Sequence, residues 1–178
     1  MQQSHERIVE GAARLLRERG FDKTSVADVM EAAGLTHGGF YRHFENKDAL
    51  VAAALQAAFA QVTERMDQNV REREPGQARS AFHNYYLADE HLAAPGSACP
   101  VATLAGDLVR ASANLKASFG EGVRRMLATL APAHAGTKKE RQAAAAREFA
   151  MLVGAAVIAR SSDPDTARFV LEACRPLE

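Results

Sequence analysis

Tryptophan is absent from this 178-residue chain, and aromatic residues of all kinds make up only 6% of it. The alternating runs of Val, Ile, Thr and Tyr that are typical of half-buried strands are also missing. Ala, Leu, Glu and Arg recur instead, and this mixture favours helix. The composition therefore predicts an all-α fold.

Cysteine is scarce, with only Cys99 and Cys174 present. Two cysteines do not make a disulfide framework, so a reducing cytoplasm is the simpler expectation. The first residues, MQQSHERIVE, contain no apolar signal core. The longest apolar run, residues 149–159, is about half the ~20 residues that a membrane-spanning helix needs. We expect a cytoplasmic protein without a membrane partner.

Excess charge of either sign is lacking, because the formal net charge is zero. Residues 1–50 hold seven basic and eight acidic side chains, which leaves this part of the chain at −1. Bulk electrostatics therefore do not indicate a nucleic-acid partner. Phosphate contacts, however, need only a few donors on one face, so the placement of the donors matters more than their sum.

Helix signals divide the first fifty residues into short segments. An apolar stripe predicts a helix over 4–19 that Gly20 stops. Ser25 and Asp28, three residues apart, form a capping-box pattern at the start of a second helix, which Gly34 ends. Thr36 is expected to cap a short third helix that runs to about Phe44. This succession of helix, tight turn and short helix is typical of a helix-turn-helix.

The short third helix has an unusual composition. Gly38 and Gly39 each cost roughly 1 kcal/mol of helix stability, and they leave room for a DNA backbone to approach closely. Phe40 and Phe44 lie four residues apart and are expected to pack back on the first two helices. The side chains between them then project elsewhere with hydrogen-bond donors available.

These residues resemble the DNA-binding signature of the TetR family of bacterial regulators. The resemblance covers about the first 55 residues, and the matching positions are Gly20, Phe21, Thr24, Val26, Val29, Ala33, Gly34, Leu35, Thr36, Gly38, Phe40, Tyr41, His43, Phe44, Asn46, Lys47 and Leu50. It implies a three-helix DNA-binding domain at residues 1–46. A helical domain for effector binding and dimerisation would follow at residues 47–178, giving about nine helices in total.

Carried over by position, the resemblance implies phosphate contacts from five side chains: Thr24, Thr36, Tyr41, His43 and Lys47. His37 and Arg42 are candidates for reading base edges, and Gly38 for close approach to the backbone. Gly39 departs from the side-chain-bearing residue often found at its position, so readout would rest on fewer groups. Alternatively, Arg42 and Lys47 are solvated surface charges, and the two histidines are polar residues that read nothing.

The resemblance also implies a homodimer that binds a double-stranded DNA operator and a small-molecule effector. Candidate dimer residues are Leu152, Val153, Ala156, Ala159, Phe169, Val170 and Ala173; the alternative is an intramolecular pair of core helices. Candidate effector-pocket residues are Phe59, Met66, Phe82, Tyr85, Tyr86, Cys99, Leu104, Leu108, Phe119 and Met126, with Met151 a further candidate; the alternative is plain core.

Cys99 precedes Pro100 and would cap the sixth helix, where the positive helix end favours a thiolate. It is therefore either an electrophile or oxidant sensor, or a small residue chosen for packing. His83 and His91 form at most a weak metal signal, so neither a metal nor a cofactor is expected.

The sequence thus predicts a repressor that a small molecule, an electrophile or an oxidant releases from its operator. An activator of the same fold, a DNA-binding protein without an effector, and a Cys99-dependent enzyme are the alternatives. The sequence shows no nucleophile motif that would support the enzyme.

Overall fold

The computed structural model describes residues 1–175, and within them the chain is helical without strands. The nine α-helices are α1 (Gln2–Arg19), α2 (Val26–Ala32), α3 (Lys47–Val70), α4 (Pro75–Tyr86), α5 (Asp89–Ala93), α6 (Pro100–Leu108), α7 (Ala113–Leu130), α8 (Lys138–Ser161) and α9 (Pro164–Cys174). Three short 3-10 helices cover His37–Arg42, Pro95–Ser97 and Ala131–Ala133. The prediction of an all-α fold is confirmed.

Side-chain caps explain where several helices begin. The predicted capping box at α2 is present, with Ser25 and Asp28 each accepting a hydrogen bond from the backbone of the other. Asn46 Oδ1 accepts a hydrogen bond from the backbone N–H of Ala49 at 2.9 Å, which fixes the first turn of α3. Asp163 caps α9 in the same way. Gly20, at φ 80°, ends α1 in a conformation that side chains with a Cβ rarely adopt.

Two segments differ from the sequence prediction. The stretch 88–98, predicted as a loop, contains α5 and a 3-10 turn, and Asp89 and Glu90 in the first turn of α5 suit the helix dipole. The predicted third helix is a 3-10 helix rather than an α-helix. Its two glycines weaken α-helix formation, and the tighter helix is common in such short pieces.

The chain divides into two compact units, and the first comprises Met1–Gln61 together with Pro95–Gly122. Ile8, Leu16, Met30 and Leu55 are among its fully buried side chains. Helix α1 contacts α2, α6 and the turn at Pro95–Ser97. This unit therefore holds the helix-turn-helix region and α6 in one packed body. The functional division at residue 46 stays a prediction, since packing alone does not define it.

The second unit comprises Val62–Ala94 and the residues from Val123 onward. Helix α8 contacts α4, α5, α9 and the turn at Ala131–Ala133. Phe82 and Tyr86 of α4 are fully buried, and the ring of Tyr86 meets that of Phe149 of α8 edge to face at 5.9 Å between centroids.

Helix α8 is the one helix in the described part of the chain that is long and apolar enough to cross a membrane by length and composition, with a mean hydropathy of 1.3. Core helices of water-soluble proteins meet the same criterion, so this observation is weak evidence for a membrane. A third of the apolar window is buried inside the chain.

Candidate nucleic-acid interface

The recognition segment, residues 36–44, presents a polar face above an aromatic base. Phe40 and Phe44 are 2% and 6% exposed, and their rings stack at 5.8 Å between centroids. Tyr41, by contrast, is 73% exposed, and Arg42 is also exposed. The two phenylalanines therefore anchor the segment, as the four-residue spacing predicts, and its other side is open to a binding partner.

The N-terminal helix supports the same segment from beside it. The ring of His5 on α1 stacks on Phe44 at 4.8 Å and tilts against His43 at 5.9 Å. His43 is consequently only half exposed, whereas His37 and Thr36 are exposed. Of the predicted readers and phosphate donors in this segment, four side chains are exposed and one, His43, is partly covered.

Gly38 itself meets no steric limit inside the protein. A Cβ built on Gly38 would have no other atom within 4 Å, and one on Gly39 would meet only Met30 Cε at 3.5 Å, an ordinary contact. The packing of the chain itself therefore does not require glycine at either position.

Lys47 lies at the first position of α3, directly after the recognition segment. Its Nζ donates to the backbone carbonyl of Phe21 at 2.9 Å while the residue stays exposed. This bond holds the ammonium group beside a helix N-terminus, an environment that attracts phosphate. The predicted role of Lys47 is compatible with this geometry.

Thr24 does not have the position that the family pattern implies. It is 1% exposed, and its hydroxyl donates to the carbonyl of Gly20 at 2.8 Å. A buried hydroxyl that is already hydrogen-bonded cannot reach a phosphate, so the predicted contact needs correction. The hydroxyl instead stabilises the turn that follows α1. Next to it Ser25 is exposed, and its hydrogen bonds lower the pKa of the Asp28 carboxyl.

The predicted effector-pocket residues are distributed over both compact units. Phe59, Cys99, Leu104, Leu108 and Phe119 lie in the first unit, whereas Met66, Phe82, Tyr85, Tyr86 and Met126 lie in the second. Eight of the ten are buried, while Tyr85 and Phe119 are half-buried. Burial is expected both for plain core and for an enclosed pocket, so this set stays a prediction.

Cys99 is the N-cap residue of α6, as predicted, with Pro100 at the first helical position. It is fully buried, and its side chain makes no capping hydrogen bond. In this conformation a reagent in solvent would not reach the thiol, which favours the packing role. Cys174 on α9 is half-buried.

The candidate dimer residues fall into two groups. Leu152 and Ala156 are fully buried within the chain, so they cannot belong to a surface, and this part of the prediction needs correction. Phe169 is 71% exposed, Ala173 is exposed, and Val153, Ala159 and Val170 are half-buried. Val157 and Ile158 of α8, which the sequence analysis left out, are exposed as well.

Sequence reasoning also missed a cluster in the second unit. Glu148 of α8 lies against His83 of α4 and His134, all three with side chains less than a tenth exposed. These residues come from three separate stretches of sequence, and no local spacing marks them. Among residues 1–175, no group of three or more His, Cys, Asp or Glu side chains is arranged to hold a metal ion.

The capped α2, the tight turn and the anchored recognition segment together define a helix-turn-helix domain. Residues 8–54 match the model of the bacterial regulatory proteins of the tetR family. The resemblance seen in the first part of the sequence is therefore confirmed.

The relatives found by sequence match over less than half of this chain. The chain is 43% identical over 56 residues to the transcriptional regulator TtgR of Pseudomonas putida, covering 32% of this chain and 27% of TtgR. It is 30% identical over 81 residues to the transcriptional repressor DhaR of a Mycobacterium species, covering 46% of this chain and 40% of DhaR. The matched part thus spans less than half the length of these relatives.

The fold, in contrast, matches over nearly the whole chain. The crystal structure of the reduced form of NemR from E. coli has a TM-score of 0.79 at 19% identity, and the match covers 97% of this chain and 95% of NemR. At this identity the likeness shows the fold alone. It confirms the N-terminal helix-turn-helix followed by a helical body.

Proposed function

We propose that this chain is a cytoplasmic transcriptional regulator that binds operator DNA as a homodimer and acts as a repressor released by a small molecule. The observation that carries the proposal is the recognition segment, whose polar side is exposed while two phenylalanines fix its other side. The relatives TtgR and DhaR are regulators of transcription, and DhaR is a repressor. Nothing in this reading requires catalysis, metal or cofactor.

The DNA contacts are assigned by exposure and chemistry. Thr36, Tyr41 and Lys47 are proposed to donate to phosphate oxygens, with His43 a partly covered fourth donor. Arg42 and His37 are proposed to reach base edges in the major groove, and Gly38 lets the backbone approach the DNA. Thr24 is not included, because its hydroxyl is buried.

Gly38→Ala tests the interface with little disturbance of the fold. The added methyl group meets no atom of the protein, so the free energy of unfolding should change by less than about 1 kcal/mol. If Gly38 lies against the DNA backbone, the affinity measured by gel shift with the DNA upstream of the gene falls by about tenfold or more. Gly106→Ala on α6, whose new Cβ also meets open space, is the matched control and should leave the affinity unchanged. Full affinity in a folded Gly38→Ala protein would contradict the proposed docking.

The proposed dimer uses the exposed apolar surface of α8 and α9, here called the α8–α9 surface and defined by Val157, Ile158 and Phe169. Exposed side chains of this size on adjacent helices are typical of an association site, and a two-helix contribution from each subunit makes a four-helix bundle. A dimer would place two recognition segments on half-sites about 34–36 Å apart.

Phe169→Asp should convert the protein to a monomer in sedimentation experiments, because a charge would be buried at the centre of the contact. Val109→Asp is the control, since Val109 of α6 is equally exposed (72%) but lies outside the α8–α9 surface. A dimer that persists in Phe169→Asp but dissociates in Val109→Asp would place the contact elsewhere.

The signal is proposed to reach the helix-turn-helix through contacts inside the first unit. Arg17 of α1 donates to the carbonyl of Ala98 at 3.1 Å and to Gln61 Oε1 at 2.9 Å. Asp107 of α6 accepts a hydrogen bond from the backbone N–H of Phe21 at 3.0 Å. A displacement at the start of α6 would therefore shift α1 and the turn that follows it, which couples effector binding to DNA binding.

A signal through Cys99 is the second candidate, favoured by its position directly after Ala98, the residue that Arg17 holds. Modification would require α6 to open transiently, because the thiol is buried. Mass spectrometry after mild electrophile treatment tests this, with the more exposed Cys174 as internal comparison. Faster modification of Cys99 than of Cys174 supports the sensor. The reverse order assigns Cys99 to packing and leaves the small-molecule signal.

A further inference from the structure

A hollow of about 330 Å³ on the second unit has an unusual lining. Its walls are Arg79, His83, His134, Ala144, Arg147, Glu148 and Met151, and we call it the His134 hollow. Only Met151 belongs to the residues that the sequence analysis considered for an effector pocket. The hollow is therefore a separate feature of the helical body, at the lower end of the volumes of small-molecule sites.

The single carboxylate of the hollow already has partners within the chain. Glu148 Oε1 accepts a hydrogen bond from His83 Nε2 and a longer one, at 3.3 Å, from Arg79 Nε. Burial alone would raise the pKa of Glu148, but the hydrogen bond from His83 and the neighbouring positive charges outweigh burial and hold the pKa below its ordinary value. The ionised carboxylate of Glu148 thus holds Arg79, His83 and His134 in place around the hollow.

The hollow contains more hydrogen-bond donors than Glu148 accepts hydrogen bonds from. His134 Nε2 lies 2.7 Å from Glu148 Oε2 and is therefore also engaged by this carboxylate. Arg147 is exposed and forms no ion pair with another described residue, while Arg79 is half exposed and shares its charge with Glu148. Two guanidinium groups and one carboxylate give the hollow a formal charge of +1, with its histidines left aside.

Burial is the largest cause that lowers the pKa of His134; Arg79 and Arg147 act in the same direction, whereas Glu148 opposes them. The same two guanidinium groups supply the positive charge that an anion in the hollow would meet.

From this geometry we propose that the His134 hollow binds a small organic carboxylate. Arg147 and the part of the Arg79 guanidinium that Glu148 does not use would hold the carboxylate group. Ala144 and Met151 provide an apolar wall for the body of the ligand, a feature that a free inorganic anion would not use. The proposal goes beyond the DNA-binding function and does not depend on it.

Calorimetric titration of the full-length protein with benzoate tests the proposal, and benzamide is the neutral isostere of the probe. We expect saturable binding of benzoate with a Kd of about 1 mM or tighter, and no binding of benzamide. Arg147→Ala should weaken benzoate binding by about tenfold or more. Arg124→Ala, which removes another exposed arginine of the second unit, should leave the binding unchanged.

A second measurement reads the site directly. Bound benzoate should raise the pKa of His134 in a histidine NMR titration and leave the chemical shifts of the exposed His37 in the first unit unchanged. Absence of saturable benzoate binding, or equal binding of benzamide, would overturn the proposal. Tighter binding of inorganic phosphate than of benzoate would overturn the assignment to a carboxylate. None of these outcomes would alter the gel-shift result for Gly38→Ala, so the two proposals fail separately.

Discussion

In the first compact unit, the guanidinium of Arg17 bridges α1, α3 and the start of α6 by donating to Ala13, Gln61 and Ala98. In the second unit, a buried glutamate, Glu148, connects α4, α8 and His134 through two imidazoles and Arg79. A guanidinium keeps its charge at every pH that proteins tolerate, whereas imidazole changes its charge between about pH 5 and 8. The connection at Arg17 is therefore permanent, and the one at Glu148 depends on protons.

The largest effect should follow from removing the permanent connection. Arg17→Met leaves the carbonyl of Ala98 and the amide of Gln61 without this donor in the interior, and we expect the free energy of unfolding to fall by about 2–4 kcal/mol. Urea denaturation measures the change. Arg14→Met removes an arginine from the exposed side of the same helix, where the pair with Glu18 contributes about 0.5 kcal/mol or less. Equal losses in the two variants would show that Arg17 is not a structural bridge.

A steric change in the first unit should have a somewhat smaller effect. A Cβ on Gly122 of α7 would overlap the ring of Phe59, so Gly122→Ala forces the ring or the helix to move, at a cost of about 1–3 kcal/mol. Gly106→Ala meets open space and should instead stabilise its helix by about 0.5–1 kcal/mol. Thermal unfolding followed by circular dichroism compares the two variants. A gain in stability for both would mean that α3 and α7 are less closely packed than described.

Acidification should act on the second unit and give the smallest change. The pKa values of His134 and Glu148 are lowered in the folded chain, so the unfolded chain binds more protons, and stability present at pH 8 declines as the pH falls. The decline should begin near the ordinary His value of 6.5 and continue through the ordinary Glu value of 4.5. Urea denaturation between pH 8 and pH 5 measures the slope.

The variant His134→Asn is expected to flatten this slope between pH 7 and pH 5.5. Substitution of the exposed His37, which lies in the first unit, should leave the slope unchanged. A slope that stays the same in His134→Asn would contradict the idea that the second unit responds to protons through this cluster.

The first fifty residues could be predicted well because their signals are local. The capping pair Ser25 and Asp28, the stop at Gly20 and the spacing of Phe40 and Phe44 each act over four residues or fewer. The error at Thr24 arose because its hydroxyl turns inward to the carbonyl of Gly20, and a family pattern does not show which way a threonine faces.

The helical body could be predicted only in outline. The bounds of α8 follow from sequence, but its buried and exposed sides do not, because Leu152 and Ile158 are equally apolar and only tertiary contacts decide which one is covered. In this cluster Glu148 contacts His83, which lies 65 positions earlier in the chain, and His134, which lies 14 positions earlier. Without knowledge of which helices meet, no spacing in the sequence predicts this cluster.

Helix α3 begins at Lys47, directly beside the recognition segment, and continues without interruption for 24 residues. A helix of that length is a rod of about 36 Å, so a rotation of about 10° around its far end displaces its first residue by about 6 Å. That displacement exceeds the rise of a full helical turn of the rod itself. The depth of a DNA groove is of similar size. A small rotation of α3 would therefore be enough to move the recognition segment out of a groove.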